Sequence, residues 1–295
     1  MNSLQAEQEP HDGDALTLRE HPVQEPKPGR PVGVWFLALA VLGAAAGAAY
    51  VFVNRQGSEP LAPAAATPAP EAVEALQPPA HPLGGAVTPI DLPPLGQSDP
   101  AVRSLVNALS SHPRVVAWLA TNGLIRNFTV VVSNIAEGKT PARHLQTLSL
   151  SSPFRVTDAP AGLVGDTRNF RRYDTLAAAV ASIDPAAAAR LYASIKPSIE
   201  EAYRELGQDL PFDRTLERAI VVLLETPAPD AAARLTRAPQ GIGYRFADRR
   251  LEGLSGAQKQ LLRAGPDNVQ TVQSWLRAVA HALGIPEARL PARRG

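Results

Sequence analysis

The chain has 295 residues with 29 basic and 28 acidic side chains, and it contains no cysteine. That absence excludes disulfides, thiol nucleophiles, cysteine-based zinc sites and a lipid-modified N-terminal cysteine. The net charge of +1 conceals a gradient: residues 1–31 hold six acids and three bases, residues 54–97 four acids and one base, and residues 98–295 18 acids and 25 bases. A positive distal region is drawn toward anionic surfaces such as lipid headgroups or wall polymer. Its charges are nevertheless scattered along the sequence, with no single basic stripe.

Residues 1–31 are polar, contain five prolines and show no apolar period, which predicts a disordered tail. The stretch from Val32 to Val53 is uncharged. At about 1.5 Å rise per residue it makes a helix of roughly 33 Å, enough to cross a hydrocarbon core of about 30 Å. The small residues Ala44 to Ala49 resemble a cleavage region, but the apolar run exceeds the roughly 7 to 15 residues of a signal peptide and follows an acidic leader. An uncleaved transmembrane anchor is therefore expected. Lys27 and Arg30 precede it and Arg55 alone follows closely, so the positive-inside bias keeps the N-terminus cytoplasmic and exports the rest from the inner membrane. Gly43 and Gly47 form a GxxxG spacing that would let two such helices pair as a homodimer.

Residues 54–97 are rich in proline and alanine, a composition that cannot build a core and favours extended polyproline II. They read as a disordered linker, with recognition of the proline-rich chain by a peptide-binding domain as the alternative. A helical globular domain follows over residues 98–285. Asp99 is the expected N-cap of its first helix, with Pro100 at the first helical position and Val102, Leu105, Val106 and Leu109 on one face. A short helix with Val115, Val116, Trp118 and Leu119 comes next, then one with Leu124, Ile125, Phe128, Val131, Val132 and Ile135, then one restarted by Thr140 and Pro141. Phe154 and Val156 alternate with polar neighbours before the turn residues Asp158 to Gly162, which predicts a small hairpin.

Helices resume at Asp174 and again after Asp184, where Pro197 should kink or restart the second. Another is expected over Thr215 to Glu225, and a further strand through Ile242, Tyr244 and Phe246. Two last helices, Ser255 to Ala264 and Asn268 to Leu283, precede a disordered tail over residues 286–295. The predicted domain is mainly α with minor β.

Motifs for chemistry are scarce. His11, His21, His81, His112, His144 and His281 are far apart and show no ligand spacing, so neither a metal site nor a cofactor is expected. The sequence has no GxSxG, no phosphate-binding glycine loop and neither basic stripe nor aromatic platform for nucleic acid. Two polar stretches supply candidate contacts. Around Lys196 to Gly207, Glu201, Tyr203 and Arg204 could form a polar cluster for a ligand. Glu200 and Arg204, at i and i+4, read as an ordinary surface ion pair. From Tyr244 to Asn268, Tyr244, Arg245, Lys259 and Arg263 are candidates for a ligand or partner, whereas Ser255, Gln258 and Asn268 read as helix caps.

These stretches carry a resemblance. YRFADxxLExLSxAQKQLLRxGPxN, KPxIxEAYRELG, LIRNFxxVVxNIAEGxxPARHL and the FRV hairpin resemble the bacterial family catalogued as domain of unknown function 3014, over most of residues 95–285. The anchor and proline-rich tether match that family's usual layout. Ala264 stands where the family tends to have methionine, a change of packing. The resemblance implies no activity, substrate or cofactor. The reading is thus a single-pass inner-membrane protein whose exported domain binds another envelope protein or a wall component. Its rival is an exported enzyme acting on wall or lipid material.

Overall fold

A computed structural model describes residues 82–292, apart from 149, 151–153, 161, 229–232 and 239–242. The expected tail, anchor, glycine pair and most of the linker lie outside the described residues, as does Ile242. Helices α1 (Asp99–Asn107), α2 (Pro113–Leu119) and α3 (Leu124–Ala136) come first. The stretch expected to restart a helix at Thr140 forms two 3-10 turns, Ala142–His144 and Gln146–Leu148. Leu145 and Leu148 are buried there, since a turn of three residues suffices to place both. Strands β1 (Val156–Ala159) and β2 (Gly162–Gly165) make the predicted hairpin. Then come α4 (Arg168–Arg171), α5 (Asp174–Ala181), α6 (Pro185–Glu205) and α7 (Phe212–Leu224). Strands β3 (Arg234–Arg237) and β4 (Tyr244–Phe246) precede α8 (Arg249–Glu252), α9 (Gly256–Leu262) and α10 (Pro266–Ala282).

The hairpin plus single strand read from the sequence is in fact one antiparallel sheet of order β1-β2-β3-β4. Strand β3 carries no apolar alternation in the sequence, because Arg234, Thr236 and Arg237 leave Leu235 as its one apolar residue. In the helical body, α3 packs on α6 and α7, and α10 packs on α5, α6 and α7. Phe212 sits at the centre of this layer, with ring centroids 5.1 Å from Tyr203, 5.7 Å from Phe128 and 6.5 Å from Tyr192. No single helix among the described residues is long and apolar enough to cross a membrane.

Several expected caps work differently. Ser98 occupies the N-cap of α1, and the Asp99 carboxylate reaches across to accept from the backbone N–H of Gly123 (2.5 Å) and Leu124 (2.6 Å). It therefore satisfies two of the orphan donors of α3 from another helix. Glu200 forms no surface pair with Arg204; it accepts from the backbone N–H of Phe212 at 3.0 Å, so α7 starts three residues before Thr215. The box of Ser255 and Gln258 is present in both directions on α9. Asn268 lies inside α10, where its amide donates to Phe170 O, Asp174 Oδ1 and Ala264 O, and the N-cap position falls to Gly265. At that glycine φ is +88°, and an added Cβ would stand 2.4 Å from Phe170 Cγ.

Helix α6 runs unbroken through Pro197, which deprives the Ala193 carbonyl of its usual partner. The same turn is contacted from outside, where Ile90 N–H donates to Ser194 O at 2.8 Å. That bond belongs to a larger correction. The last part of the expected linker is docked on the domain, with Leu83 and Leu95 buried and Gly84 N–H bonded to Leu283 O. Likewise residues 286–292, expected as tail, form a 3-10 turn at Glu287–Arg289 and bury Leu290. Isolated leucines between prolines carry no period, so neither segment registers as structure in the sequence.

Candidate functional site

The seven candidate residues fall into two places. On α6, Glu201 and Arg204 are exposed, whereas Tyr203 is buried and its hydroxyl bonds Thr215 Oγ1 at 2.8 Å. On the sheet, Tyr244 packs against Phe154 with ring centroids 6.0 Å apart, and Arg245 is exposed. Lys259 on α9 donates to Glu252 O and Glu252 Oε1, and Arg263 just beyond α9 donates to Gln260 Oε1. Burial pulls the Arg263 guanidinium below its ordinary value. No hydrogen bond, ion pair or ring contact among the described residues joins the α6 group to the sheet group. The two sets make no direct interaction with each other, so no hydrogen-bonded polar centre joins them.

The densest buried polar constellation lies elsewhere, between α6 and α7. Tyr192 and Lys196 are one turn apart on α6, and Asp213 and Glu217 one turn apart on α7. Asp213 is 4% exposed and Glu217 2%. Asp213 accepts from Tyr192 OH at 2.5 Å, from Lys196 Nζ, and from the backbone N–H of Leu83 at 3.3 Å. Glu217 pairs with Arg289 at 2.8 Å from the C-terminal 3-10 turn. Burial, with Asp213 adding to it, drives the Tyr192 phenol well above its ordinary range. Burial likewise raises the Glu200 carboxyl and that of Glu217, the latter against the pull of Arg289.

Chemically this constellation is a clasp: Asp213 ties the Leu83 segment to α6 and α7, Glu217 ties the Arg289 turn to α7, and both acids are spent on these contacts. Composition hid it, although Asp213 and Glu217 continue the stripe of Ile220 and Leu224 at i, i+4, i+7 and i+11. Acids on an apolar stripe are a signal that could have marked both. Two surface hollows, one beside Asn107, Ser110, His112 and Ser182 and one beside Pro185, Asp267, Gln270 and Trp275, are lined by none of these residues. Among the described residues no three His, Asp or Glu side chains come together to hold a metal ion.

A family model described as a protein of unknown function, DUF3014, matches residues 124–280, more than half of the chain. The chain belongs to the DUF3014 family. Comparison with curated proteins and with solved structures finds no match. The DUF3014 match runs from the start of α3 almost to the end of α10, so it includes Tyr192, Lys196, Asp213 and Glu217. Leu83 and Arg289, which complete the clasp, lie outside it.

The raised Glu217 carboxyl gives the clasp a pH signature. An acid whose folded pKa lies above its unfolded value holds its proton more tightly in the folded state. Its contribution to stability therefore falls as pH rises from about 4.5, the unfolded value, through the raised folded value. Glu217→Gln cannot titrate, so the difference in urea midpoint between wild type and variant should move in the variant's favour as pH climbs through that interval. Glu200 titrates in both proteins and cancels. Parallel midpoint curves for the two proteins would remove Glu217 from the titration.

Proposed function

We propose that this DUF3014 protein is a single-pass inner-membrane protein whose exported helical domain serves as a binding or scaffold module in the cell envelope. The uncharged run from Val32 to Val53 carries this reading, because 22 such residues have the length and composition of a membrane span. The domain behind it spends its buried charges on its own architecture, which suits a rigid module that presents surfaces to a partner. Within the membrane, Gly43 and Gly47 would let two anchors approach. The enzyme reading requires Glu201, Tyr203, Arg204 and Tyr244 to meet at one reacting atom, whereas Tyr203 and Tyr244 are engaged on different elements.

Topology is the first test. Reporters active only inside or only outside the cytoplasm, fused after Gly295, should give signal from the exported reporter alone. Signal from the cytoplasmic reporter alone would sink the proposed orientation. Photocrosslinking in the native envelope from Arg204 and from Arg245 then tests the module itself, with a discrete envelope-protein adduct as the expected product.

A further inference from the structure

The positive charge that is scattered in sequence is concentrated in the two stretches that build the sheet and its flanking helices. Residues 154–172 and 233–252 together hold nine arginines and four acids, which accounts for most of the excess positive charge of residues 98–295. The two stretches are far apart along the chain, and the pairing of β2 with β3, through Leu163 with Leu235 and Val164 with Arg234, brings them side by side. Three of the four acids are already engaged: Asp166 with Arg168, Asp248 with Arg250 and Glu252 with Lys259. Arg234, Arg237, Arg245 and Arg249 are exposed and form no ion pair among the described residues.

Register sorts these residues by face. Thr236 lies opposite Arg245, and Arg234 is two residues before Thr236, so all three project from one face together with Thr157 and Val164. The other face carries Leu163, Leu235, Tyr244 and Phe246 together with Asp158 and the exposed Arg237, and the Phe154 ring is laid beside Tyr244 and Gly165. Arg234 and Arg245 are diagonal neighbours, about 7–8 Å apart on a common face, where like charges repel unless an anion lies between or above them. No residue of the four strands is buried, so this arginine and threonine face is open to a partner.

We infer that the arginine face of the sheet docks on the anionic headgroups of the membrane that holds the chain's own anchor. The inference rests on the anchor reading above and adds to it the face by which the domain meets the bilayer. Tether length selects lipid over an acidic protein. Because Leu83 is already docked, only residues 54–81 remain between anchor and domain. As a coil they span about 30 Å, and at full extension about 90 Å. A domain of this size has a radius of gyration of about 17 Å, so the coil is shorter than the domain is wide. Such a tether holds the lipid surface at a local concentration in the millimolar range, whereas a soluble acidic partner must arrive by diffusion.

The absence of cysteine makes the test direct. Thr236→Cys in the full chain, labelled with an environment-sensitive dye and reconstituted in vesicles, reports on the arginine face. Vesicles of phosphatidylcholine containing phosphatidylglycerol should shift the emission to the blue, and vesicles of phosphatidylcholine alone should not. High salt should reverse the shift. At about fivefold in surface partition for each basic residue, adding Arg234→Glu and Arg245→Glu should lower docking by at least about 25-fold and abolish the shift. The exposed control Arg143→Glu should leave it in place, and urea midpoints of all variants verify folding.

Equal emission in the two vesicle types would overturn the inference, as would a loss of the shift with Arg143→Glu equal to that with the paired reversal. A shift produced by polyglutamate but not by anionic lipid would overturn it in favour of an acidic protein. An alkaline wash separates the two readings. Chain that stays in the vesicles without a dye response keeps the anchor and loses the docking; chain that gave the response but is stripped by the wash keeps the docking and loses the anchor.

Discussion

Replacing Asp213 by alanine is expected to lower the unfolding free energy of the protein by about 3–5 kcal/mol, the cost of removing one partner from a buried pair. The carboxylate is the common acceptor for Tyr192, Lys196 and the Leu83 amide, and its side chain is 5% exposed. Without it Lys196, whose side chain is 21% exposed, loses its paired counter-ion, and a phenol and an amide lose their acceptor together. Urea unfolding followed by tryptophan fluorescence measures the loss. The double variant Asp213→Ala with Lys196→Met should be less damaging than the sum of the two single changes, because the second removes the charge that the first strands. Asp213→Asn should fall between, since an amide oxygen still accepts from Tyr192. A loss below about 1 kcal/mol for Asp213→Ala would show that Asp213 is not what fastens the Leu83 segment to the domain.

The second large effect concerns the limits of the domain. A fragment of residues 98–285, the limits that periodicity suggests, lacks Leu83, Leu95 and Leu290, all of them at most 7% exposed in the intact chain. Burial of each is worth about 1.5–3 kcal/mol, so their joint loss approaches the whole stability of an ordinary domain, about 5–15 kcal/mol. The fragment also strips Glu217 of Arg289 and Arg277 of Glu287, leaving a buried carboxyl and a nearly buried guanidinium without their counter-ions. Residues 82–292 should accordingly unfold in one cooperative transition. Residues 98–285 should keep helical far-ultraviolet dichroism while losing the near-ultraviolet signal of packed aromatics. Identical urea midpoints for the two fragments would mean that both ends are passengers.

The sequence was most legible where one physical signal acted over many residues. A face repeating at three and four residues placed Val102 and Val106, Val115 and Leu119, and Phe128 and Val132, and all six are buried. The box of Ser255 and Gln258 was equally readable, because both partners lie within one turn and need nothing from the rest of the chain. Where a side chain works across the fold, local reading assigned it the nearest local role. By local pattern alone Asp99, Glu200 and Asn268 are cap, surface partner and cap for their own helices. Each instead serves backbone or side chains of another element, since a carboxylate or amide satisfies a distant N–H or C=O as well as a near one.

The candidate site divides along the same line. Tyr203 stood out as a polar residue in a polar stretch, yet its direction on α6 turns it toward Thr215 and Phe212 and away from Glu201 and Arg204. Asp213 and Lys196 went unmarked because they are 17 residues apart, and nothing short of packing α6 on α7 pairs them.

By itself the amino-acid sequence determined that this protein is a mainly helical domain, the order of most of its helices, its hairpin and its membership of a family, because hydrophobic periodicity, capping and turn chemistry are set by residues near one another in the chain. The tertiary structure alone decided where the domain ends, which acids are buried, and that two arginine-bearing stretches far apart in the chain meet in one sheet. Those outcomes depend on contacts between residues tens to more than a hundred positions apart, such as Leu83 with Asp213, Glu217 with Arg289 and Val164 with Arg234. No local pattern encodes which distant surfaces meet; the burial of apolar area on both partners decides it.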